Sequence, residues 1–134
     1  MVDWSCQEAR VSESKTIFAL TADLNSSVKI AEAAKAMGAR CVSVRSPGEL
    51  PAKLVASAPD LVVVDLQLGG FDAAVVVQQV RGGNSRTPVV AFGRHTEPAV
   101  LRAARQGGCV EVLVRSDFFP KLGEVLGKHL GLPG

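Results

Sequence analysis

A short apolar run that ends in a single carboxylate constrains the fold of this chain more than any other feature. Leu61-Val62-Val63-Val64 lies between Pro59-Asp60 and Asp65, and a pair of glycines, Gly69-Gly70, follows. Branched apolar residues bounded by turn-forming residues predict a strand that is buried on both faces, as in a parallel sheet covered by helices. Asp65 then stands at the carboxyl end of this strand, where open α/β sheets gather ligands and reactive groups.

Length and composition limit the protein to one globular domain without a membrane span. A chain of 134 residues fits a single domain, and 47% apolar with 21% charged residues is typical of a soluble protein. The longest apolar runs fall far short of the roughly 20 residues that cross a bilayer. Residues 1–14 are polar and lack the pattern of a signal peptide. We therefore expect a flexible leader at 1–14, one domain at 15–130 and a tail at 131–134.

The three cysteines, Cys6, Cys41 and Cys109, indicate a reducing compartment. They are odd in number and have no Cys-x-x-Cys spacing, which argues against a disulfide framework or a structural zinc site. Cys41 and Cys109 precede apolar runs, and so we expect them to be small core residues rather than redox groups. The predicted location is cytoplasmic.

The charge pattern gives no nucleic-acid footprint. The net charge is +2, and the second half of the chain is mildly basic, since Glu97 and Glu111 accompany Arg81, Arg86, Arg94, Arg102, Arg105 and Arg115. Only Phe92 is interleaved with these arginines, whereas nucleic-acid surfaces combine cations with several aromatic side chains. We expect an ordinary solvated face or a surface for an acidic partner.

Strand and helix periodicities alternate along the rest of the chain. Strand-type runs predict five strands, at 16–21, 40–45, 61–65, 88–92 and 110–114. Helical patterns fill the intervals, at 25–37 with Asn25 or Ser26 as cap, at 46–57, from the cap Asp72 to Val80, from Thr96 to Gly107, and from the cap Ser116-Asp117 onward.

This alternation predicts an α/β fold in which five strands form a doubly wound, flavodoxin-like parallel sheet with five helices on its two faces. The expected strand order is 2-1-3-4-5, which brings the carboxyl ends of strands 1, 3, 4 and 5 to one rim. The predicted rim residues are Thr21, Asp23, Asp65, Gly93, Arg94 and Arg115. His95 has no second metal ligand at suitable spacing, and we expect it to be a solvent-facing loop residue.

At these residues the chain resembles the receiver domain of two-component response regulators, over 15–126. The segment from Pro59 to Asp72 is similar to the family's pattern of Pro-Asp, an apolar run, the phospho-accepting Asp and a Pro-Gly-x-Asp-Gly loop. Thr87-Pro88 before the fourth strand also fits. The run, the loop and the element spacing together are more specific than the run and Asp alone. The resemblance implies that Asp65 occupies the phospho-acceptor position.

The chain departs from the family where receivers hold magnesium and carry their switch. Two adjacent acids follow the first strand in receivers, whereas Thr21 and Ala22 stand here, with Asp23 one residue later. The other departures are Gly93 at the family's switch Ser or Thr, Arg115-Ser116 at its Lys-Pro, and Gly69 at the Pro of the loop. Magnesium normally neutralises charge in phosphoryl transfer, so the loss of the acid pair removes the main catalyst.

Asp65 and Asp23 each keep a structural interpretation beside the functional one. Asp65 stands opposite Arg115 in the predicted fold, and we expect the two to form a permanent ion pair. Asp23 is either a surviving metal ligand or a carboxylate that complements the start of the first helix.

The resemblance and its departures together predict a stand-alone degenerate receiver, or pseudo-receiver. It would act as a protein-interaction module in bacterial signal transduction, without enzymatic activity, cofactor or ordinary magnesium-dependent phosphorylation. Expected partners are other signalling proteins, such as a histidine kinase. Receivers commonly bind partners or a second copy through the fourth helix, fifth strand and fifth helix, a face that allows a homodimer and here includes Leu101, Arg102, Arg105, Val112 and Val114.

Two alternatives stay open from the sequence. One is a functional, atypical receiver that is phosphorylated on Asp65, with Asp23, Asp65 and the Gln67 carbonyl holding Mg²⁺. The other is a small-anion or nucleotide sensor at the rim, built from the loop 21–27 with Arg94 and Arg115. Phosphate-loop and dinucleotide-binding fingerprints are absent from the sequence.

Overall fold

The computed structural model describes residues 15–67, 69–83 and 86–131, and it contains a five-stranded sheet in which all neighbouring strands are parallel. The strands are β1 (Thr16–Leu20), β2 (Arg40–Val44), β3 (Leu61–Asp65), β4 (Val89–Gly93) and β5 (Glu111–Val114). Their spatial order is β2-β1-β3-β4-β5. The predicted doubly wound, flavodoxin-like α/β fold and its strand order are therefore confirmed.

Six α-helices connect and flank the strands in the described part of the chain. They are α1 (Leu24–Ala36), α2 (Leu50–Ala56), α3 (Ala73–Gly83), α4 (Pro98–Gln106), α5 (Arg115–Phe118) and α6 (Leu122–Leu130). A 3-10 turn, Pro47–Glu49, precedes α2. The sequence predicted five helices, and the difference lies at the end of the chain.

The predicted last helix is divided in two by Pro120. Proline has no backbone N–H, and its ring clashes with the preceding turn of a helix. The chain therefore passes through a tight turn, in which the N–H of Lys121 donates to the Phe118 carbonyl at 3.2 Å. The first of the two helices, α5, begins at Arg115, and it does not have the expected side-chain cap from Ser116-Asp117.

The start of α1 also differs from the prediction. Its cap is Asp23 instead of Asn25 or Ser26, because the Asp23 carboxylate accepts a hydrogen bond from the Ser26 N–H at 3.3 Å. The predicted cap of α3 is confirmed, since Asp72 Oδ1 accepts from the Ala74 N–H at 3.0 Å. Both caps satisfy N–H groups that have no partner within the helix.

Two apolar clusters cover the two faces of the sheet. Alternate residues of a strand point to opposite faces, and so Val62 and Val64 belong to one cluster while Leu61 and Val63 belong to the other. The first cluster includes Leu50, Val76 and Leu101 from α2, α3 and α4, and the second includes Ile30, Phe118 and Leu126 from α1, α5 and α6. All residues of β3 are buried, including Asp65 at its end.

Cys41 and Cys109 are half-buried free thiols that pack against these clusters. Burial raises the pKa of each thiol to about 11. Since the thiolate is the reactive form, both side chains stay protonated at neutral pH and behave as small apolar residues. Cys6 lies outside the described residues.

The ends of the chain are described only in part. The predicted leader at 1–14 and residues 132–134 of the predicted tail lie outside the described residues. Helix α6 ends at Leu130, where Gly131 takes the left-handed conformation (φ 74°) that commonly closes a helix. Among the helices of the described residues, none has the length and apolar character needed to traverse a membrane.

The second cluster predicts a strong dependence of stability on Leu126. This residue is fully buried, and Leu126→Ala should lower the free energy of unfolding by about 2–5 kcal/mol, because a cavity remains after the side chain is truncated. Val55→Ala on the surface, where Val55 is 90% exposed, should change it by about 0.5 kcal/mol or less. Urea unfolding of both variants measures the difference, and equal effects would contradict the described packing.

Candidate functional site

The carboxyl ends of four neighbouring strands form one rim of the sheet. The register pairs Leu20 with Val64, Asp65 with Phe92 and Gly93 with Val114. The residues that directly follow β1, β3, β4 and β5 therefore leave the sheet at the same edge. This geometry brings the predicted rim residues together at one edge of the sheet.

Asp65 lies at the centre of the rim and is completely buried. The hydroxyl of Thr21, which is 2% exposed, donates to Asp65 Oδ2 at 2.6 Å, and the backbone N–H of Gln67 donates to Oδ1 at 2.8 Å. A buried carboxylate is costly unless it is hydrogen-bonded. Both oxygens of Asp65 thus accept hydrogen bonds from groups that the fold itself supplies.

Thr21 connects Asp65 to the first loop. Its hydroxyl donates a hydrogen bond to Asp65 and accepts one from the Asp23 N–H at 3.0 Å. The backbone N–H of Thr21 donates to the Val44 carbonyl at 3.1 Å. Hydrogen bonds in such a chain polarise and strengthen one another. Thr21 therefore fixes the β1–α1 loop against the end of β3.

The carboxylate of Asp23 is directed towards α1 and α5. Oδ2 accepts from the Ser26 hydroxyl at 2.6 Å and forms an ion pair with Arg115 Nη2 at 2.9 Å. The Ser26 hydroxyl is the largest of the effects that hold the pKa of Asp23 below its ordinary value; Arg115 adds to it, and partial desolvation opposes it. Asp23 is therefore a charged helix cap with a bound cation.

Arg115 pairs with Asp23, although the sequence predicted a pairing with Asp65. Nη2 contacts Asp23 and the hydroxyl of Ser26, and the guanidinium lies 5.4 Å from the ring centre of Phe92 and 5.0 Å from that of Phe119. Its second terminal nitrogen, Nη1, is buried and finds no hydrogen-bond acceptor among the described residues. Aromatic faces attract cations, so these rings hold the guanidinium in place.

Gly93 is buried in a space that leaves no room for a side chain. A Cβ added there would lie 3.2 Å from Leu101 Cδ2 and 3.3 Å from Leu66 Cβ. Both distances are shorter than ordinary van der Waals contacts. The two leucines therefore fill the place where the resembled family carries a switch hydroxyl.

The loop after β3 has a backbone that proline cannot adopt. Gly69 has φ +115°, and a Cβ there would meet the ring of Phe71 at 2.6 Å. Proline is held near φ −65°. The replacement of the family's loop Pro by Gly69 thus accompanies a different loop conformation, in which Phe71 closes over the backbone.

The two carboxylates that could hold a magnesium ion at this rim already make other contacts. Magnesium requires near-octahedral oxygen ligands, usually with one or two free carboxylates. Here Thr21 occupies one side of Asp65, and Asp23 already binds the cation of Arg115. Across residues 15–67, 69–83 and 86–131, no group of three or more His, Cys, Asp or Glu side chains is arranged to hold a metal ion.

A cleft of about 480 Å³ opens beside this network. Its lining consists of Lys29, Gln67, Arg94, His95, Thr96, Arg115, Ser116, Phe119 and Pro120. Arg94 and His95 are exposed, as the sequence predicted for His95. Lys29 and Phe119 were missed at the sequence level, because nothing in a helix pattern shows which of its exposed residues faces a loop from another part of the chain.

The predicted interaction face is only partly available to a partner. Leu101 and Val112 are buried, at 7% and 8% exposure, and belong to the core under α4. Val114 is half-buried, whereas Arg102 and Arg105 are exposed on α4. That Leu101 and Val112 contribute to an interface stays a prediction; Leu101 on α4 and Val112 on β5 both pack into the core, so Arg102 and Arg105 are the exposed members of this face.

No family model and no curated protein matches the sequence, whereas solved structures match its fold. A response regulator from Thermotoga maritima is 16% identical, with a TM-score of 0.75 over 88% of this chain and 98% of that one. The chemotaxis response regulator CheY4 of Vibrio cholerae is 16% identical, with a TM-score of 0.74 over 87% and 98%.

A third similar structure belongs to a longer protein. NtrX from Brucella abortus is 18% identical, with a TM-score of 0.76 over 88% of this chain, which spans 27% of NtrX. At these identities the comparisons establish the fold. The chain has the fold of response-regulator receiver domains, as the sequence predicted.

The crowding at Gly93 predicts that even a methyl group destabilises this position. Gly93→Ala should lower the free energy of unfolding by about 1 kcal/mol or more, because Leu66 and Leu101 must move. Gly82→Ala in α3 is the matched control, since its Cβ would meet nothing within 4 Å and alanine favours a helix by about 1 kcal/mol. Chemical unfolding compares the two variants, and a neutral Gly93→Ala would contradict the described packing.

The lowered pKa of Asp23 predicts a defined pH dependence of stability. A depressed pKa in the folded protein stabilises it above the ordinary value of about 3.9, and this contribution is lost as the pH falls through the folded value. Asp23→Asn keeps a residue that caps helices well but removes the charge. The parent should be more stable at neutral pH, and the gap should narrow below about pH 4.

Urea midpoints of the parent and of Asp23→Asn, measured along the same pH series, test this expectation. Glu111, whose pKa is also lowered, mainly by a hydrogen bond from His129, is present in both proteins and cancels in the difference. A gap that stays constant across the series would show that the charge of Asp23 contributes nothing.

Proposed function

We propose that this chain is a degenerate receiver domain that acts as a protein-interaction module in signal transduction and is not phosphorylated in the magnesium-dependent manner. The observation that carries the proposal is the environment of Asp65. This residue is fully buried and accepts a hydrogen bond from the Thr21 hydroxyl at 2.6 Å. The signalling context rests on the fold that the chain shares with response regulators.

The burial of Asp65 disfavours its phosphorylation. Phosphoryl transfer requires a donor phosphorus about 3–3.5 Å from a carboxylate oxygen and in line with it. Asp65 presents no surface to solvent, with Thr21 on Oδ2 and the Gln67 N–H on Oδ1. A donor would reach it only after the loops after β1 and β3 had opened and both hydrogen bonds had broken.

The charges beside Asp65 also disfavour an acyl phosphate at this position. An acyl phosphate adds negative charge beside a carboxylate, and a metal ion normally offsets it. Oδ2 of Asp23 accepts from the Ser26 hydroxyl and pairs with Arg115, so the charge of this carboxylate is already partly neutralised. The cation of Arg115 is itself partly neutralised by Asp23, which leaves less positive charge for a phosphoryl group.

The position of the resembled family's switch residue is occupied by Gly93, which has no hydroxyl. A module that signals by phosphorylation needs a group that moves towards the new phosphoryl oxygens. Gly93 has no side chain, and Leu66 and Leu101 occupy the surrounding space. We infer that the rim of this protein does not switch between two conformations. The protein would then present one constant binding surface to its partner.

The binding surface that remains on the predicted face is basic. Arg102 and Arg105 are exposed on α4, and two apolar residues near them in sequence, Val100 on α4 and Val110 before β5, are 39% and 49% exposed. Cations beside apolar side chains are suited to a partner with an acidic rim and an apolar centre. A signalling protein of that kind, a histidine kinase or a second copy of this chain are the partners we propose.

A functional, atypical receiver phosphorylated on Asp65 is the competing hypothesis. Its predicted metal ligands were Asp23, Asp65 and the Gln67 carbonyl. Asp65 Oδ2 accepts from Thr21, and Asp23 Oδ2 is paired with Arg115, so a metal that used these two oxygens would compete with both contacts. We therefore favour the unphosphorylated module.

Incubation with Mg²⁺ and acetyl phosphate separates the two hypotheses. The parent should keep its intact mass, because no donor reaches Asp65 and no metal is held there. Beryllofluoride with Mg²⁺ should likewise leave the amide resonances around Asp65 and Gln67 unchanged. An established receiver domain, treated in parallel, controls for the activity of the reagents.

Asp65→Asn gives the matched control for the site of any modification. A stable adduct that forms on the parent and is absent from Asp65→Asn would falsify the proposal. An adduct that persists in Asp65→Asn lies on another residue and leaves the proposal intact.

A further inference from the structure

We propose that the cleft between α1, the β4–α4 loop and α5 binds a diphosphate group, either as free pyrophosphate or as part of a nucleotide. The cleft lies next to the Asp65 network but uses other side chains. Its volume of about 480 Å³ falls within the range of small-molecule sites in proteins. The inference does not depend on whether Asp65 is phosphorylated, since the binding is noncovalent.

The charge of the cleft selects an anion. Lys29, Arg94 and Arg115 come from three separate elements and line the same space, and no carboxylate is among the lining residues. Glu97 and Asp117 are near in sequence to these elements but do not line the cleft. The Asp23 ion pair offsets one of the three positive charges. The buried Asp65 carboxylate, which is bonded to the N–H of the lining residue Gln67, offsets a further part, and the excess of positive charge that remains in this concave surface attracts an anion.

The aromatic residues organise two of these cations. Lys29 Nζ lies 5.1 Å from the ring centre of Phe119, and the Arg115 guanidinium lies 5.0 Å from it. Phe119 also makes edge contacts with Phe92 and Phe118. The ring is thus already in contact with four side chains, and so we expect it to hold cations rather than to stack with a nucleobase.

Arg115 has a donor that the fold leaves unused. Nη2 binds Asp23 and Ser26, whereas the buried Nη1 has no acceptor in the described part of the chain. A buried N–H without an acceptor destabilises the folded protein. A phosphate oxygen is a strong acceptor for a guanidinium, and it would satisfy Nη1 once the side chain turns to expose this atom to the cleft.

Arg94 is positioned by the side chain of Gln67. With the amide oxygen of Gln67 turned towards Arg94, it accepts from Arg94 Nε and from Nη2, the latter at 3.2 Å. The guanidinium is therefore oriented although the residue is exposed. An oriented guanidinium loses less freedom when it binds an anion, because its planar fork is already in place.

The hydroxyls of the loop 21–27 do not contribute to this site. Thr21 and Ser26 are buried, at 2% and 0% exposure, and donate to Asp65 and Asp23. The site we propose therefore differs from the sensor expected from the sequence: Lys29 lines the cleft in place of the loop 21–27. Arg94 and Arg115 keep the roles predicted for them.

The experiment is a titration of the full chain with sodium pyrophosphate at constant ionic strength and with EDTA present. Thermal unfolding and the amide resonances of Lys29, Arg94 and Arg115 are followed. ADP and adenosine form two further arms. We expect saturable binding of pyrophosphate and of ADP with similar affinity, a higher unfolding temperature, and no binding of adenosine. Unchanged intact mass shows that the binding is noncovalent.

Charge variants locate the site. Arg94→Gln should weaken pyrophosphate binding roughly tenfold, because one charge-assisted interaction is lost. Lys29→Gln should weaken it as well. Arg102→Gln removes the same charge from the exposed face of α4 and should leave the affinity unchanged. Arg115 is unsuitable for this test because its removal also breaks the ion pair with Asp23.

Three outcomes overturn the inference. The first is that pyrophosphate causes no more change than sodium chloride at the same ionic strength. The second is that Arg102→Gln weakens binding as much as Arg94→Gln, which would indicate a general charge effect. The third is that adenosine binds as tightly as ADP, since recognition would then lie in the nucleoside and not in the diphosphate. Each is independent of the acetyl phosphate result.

Discussion

The hydrogen bond between the Thr21 hydroxyl and the Asp65 carboxylate is the contact on which the rest of the rim depends. It joins the loop after β1 to the end of β3 at 2.6 Å, between two residues that are almost completely shielded from water. In that low-dielectric setting a charge-assisted hydrogen bond is strong, and an unmet carboxylate oxygen would be costly. The bond therefore stabilises Asp65 in place and also closes the approach to it.

The same bond redirects the neighbouring charges. Because Thr21 accepts from the Asp23 N–H, the chain enters α1 with Asp23 at the cap position, and its carboxylate faces Ser26 and Arg115. Arg115 is thereby held over Phe92 and Phe119, where it lines the basic cleft together with Lys29 and Arg94. The described side chains thus form a hydrogen-bonded network around Asp65 with an open cationic cleft beside it.

The strands and their order were predictable because burial on both faces leaves a distinctive mark on a sequence. Runs such as Leu61–Asp65 are nearly all apolar, are short, and are bounded by turn residues, so the observed strand ends differ from the prediction by at most one residue. The last helix was less predictable. A stripe of apolar residues continues through the segment, whereas the division at Pro120 depends on a backbone clash that periodicity does not record.

By itself the sequence determined which residues reach the rim, because parallel strands that alternate with helices all end at the same edge. Asp65, Gly93, Arg94 and Arg115 follow from that rule alone. Only the tertiary structure decided how they pair. Arg115 pairs with Asp23, which is 92 residues away in the chain. Lys29 on α1 lies over the ring of Phe119, the residue that directly follows α5. Such contacts depend on side-chain direction and on the distances between elements, and neither is encoded in local periodicity.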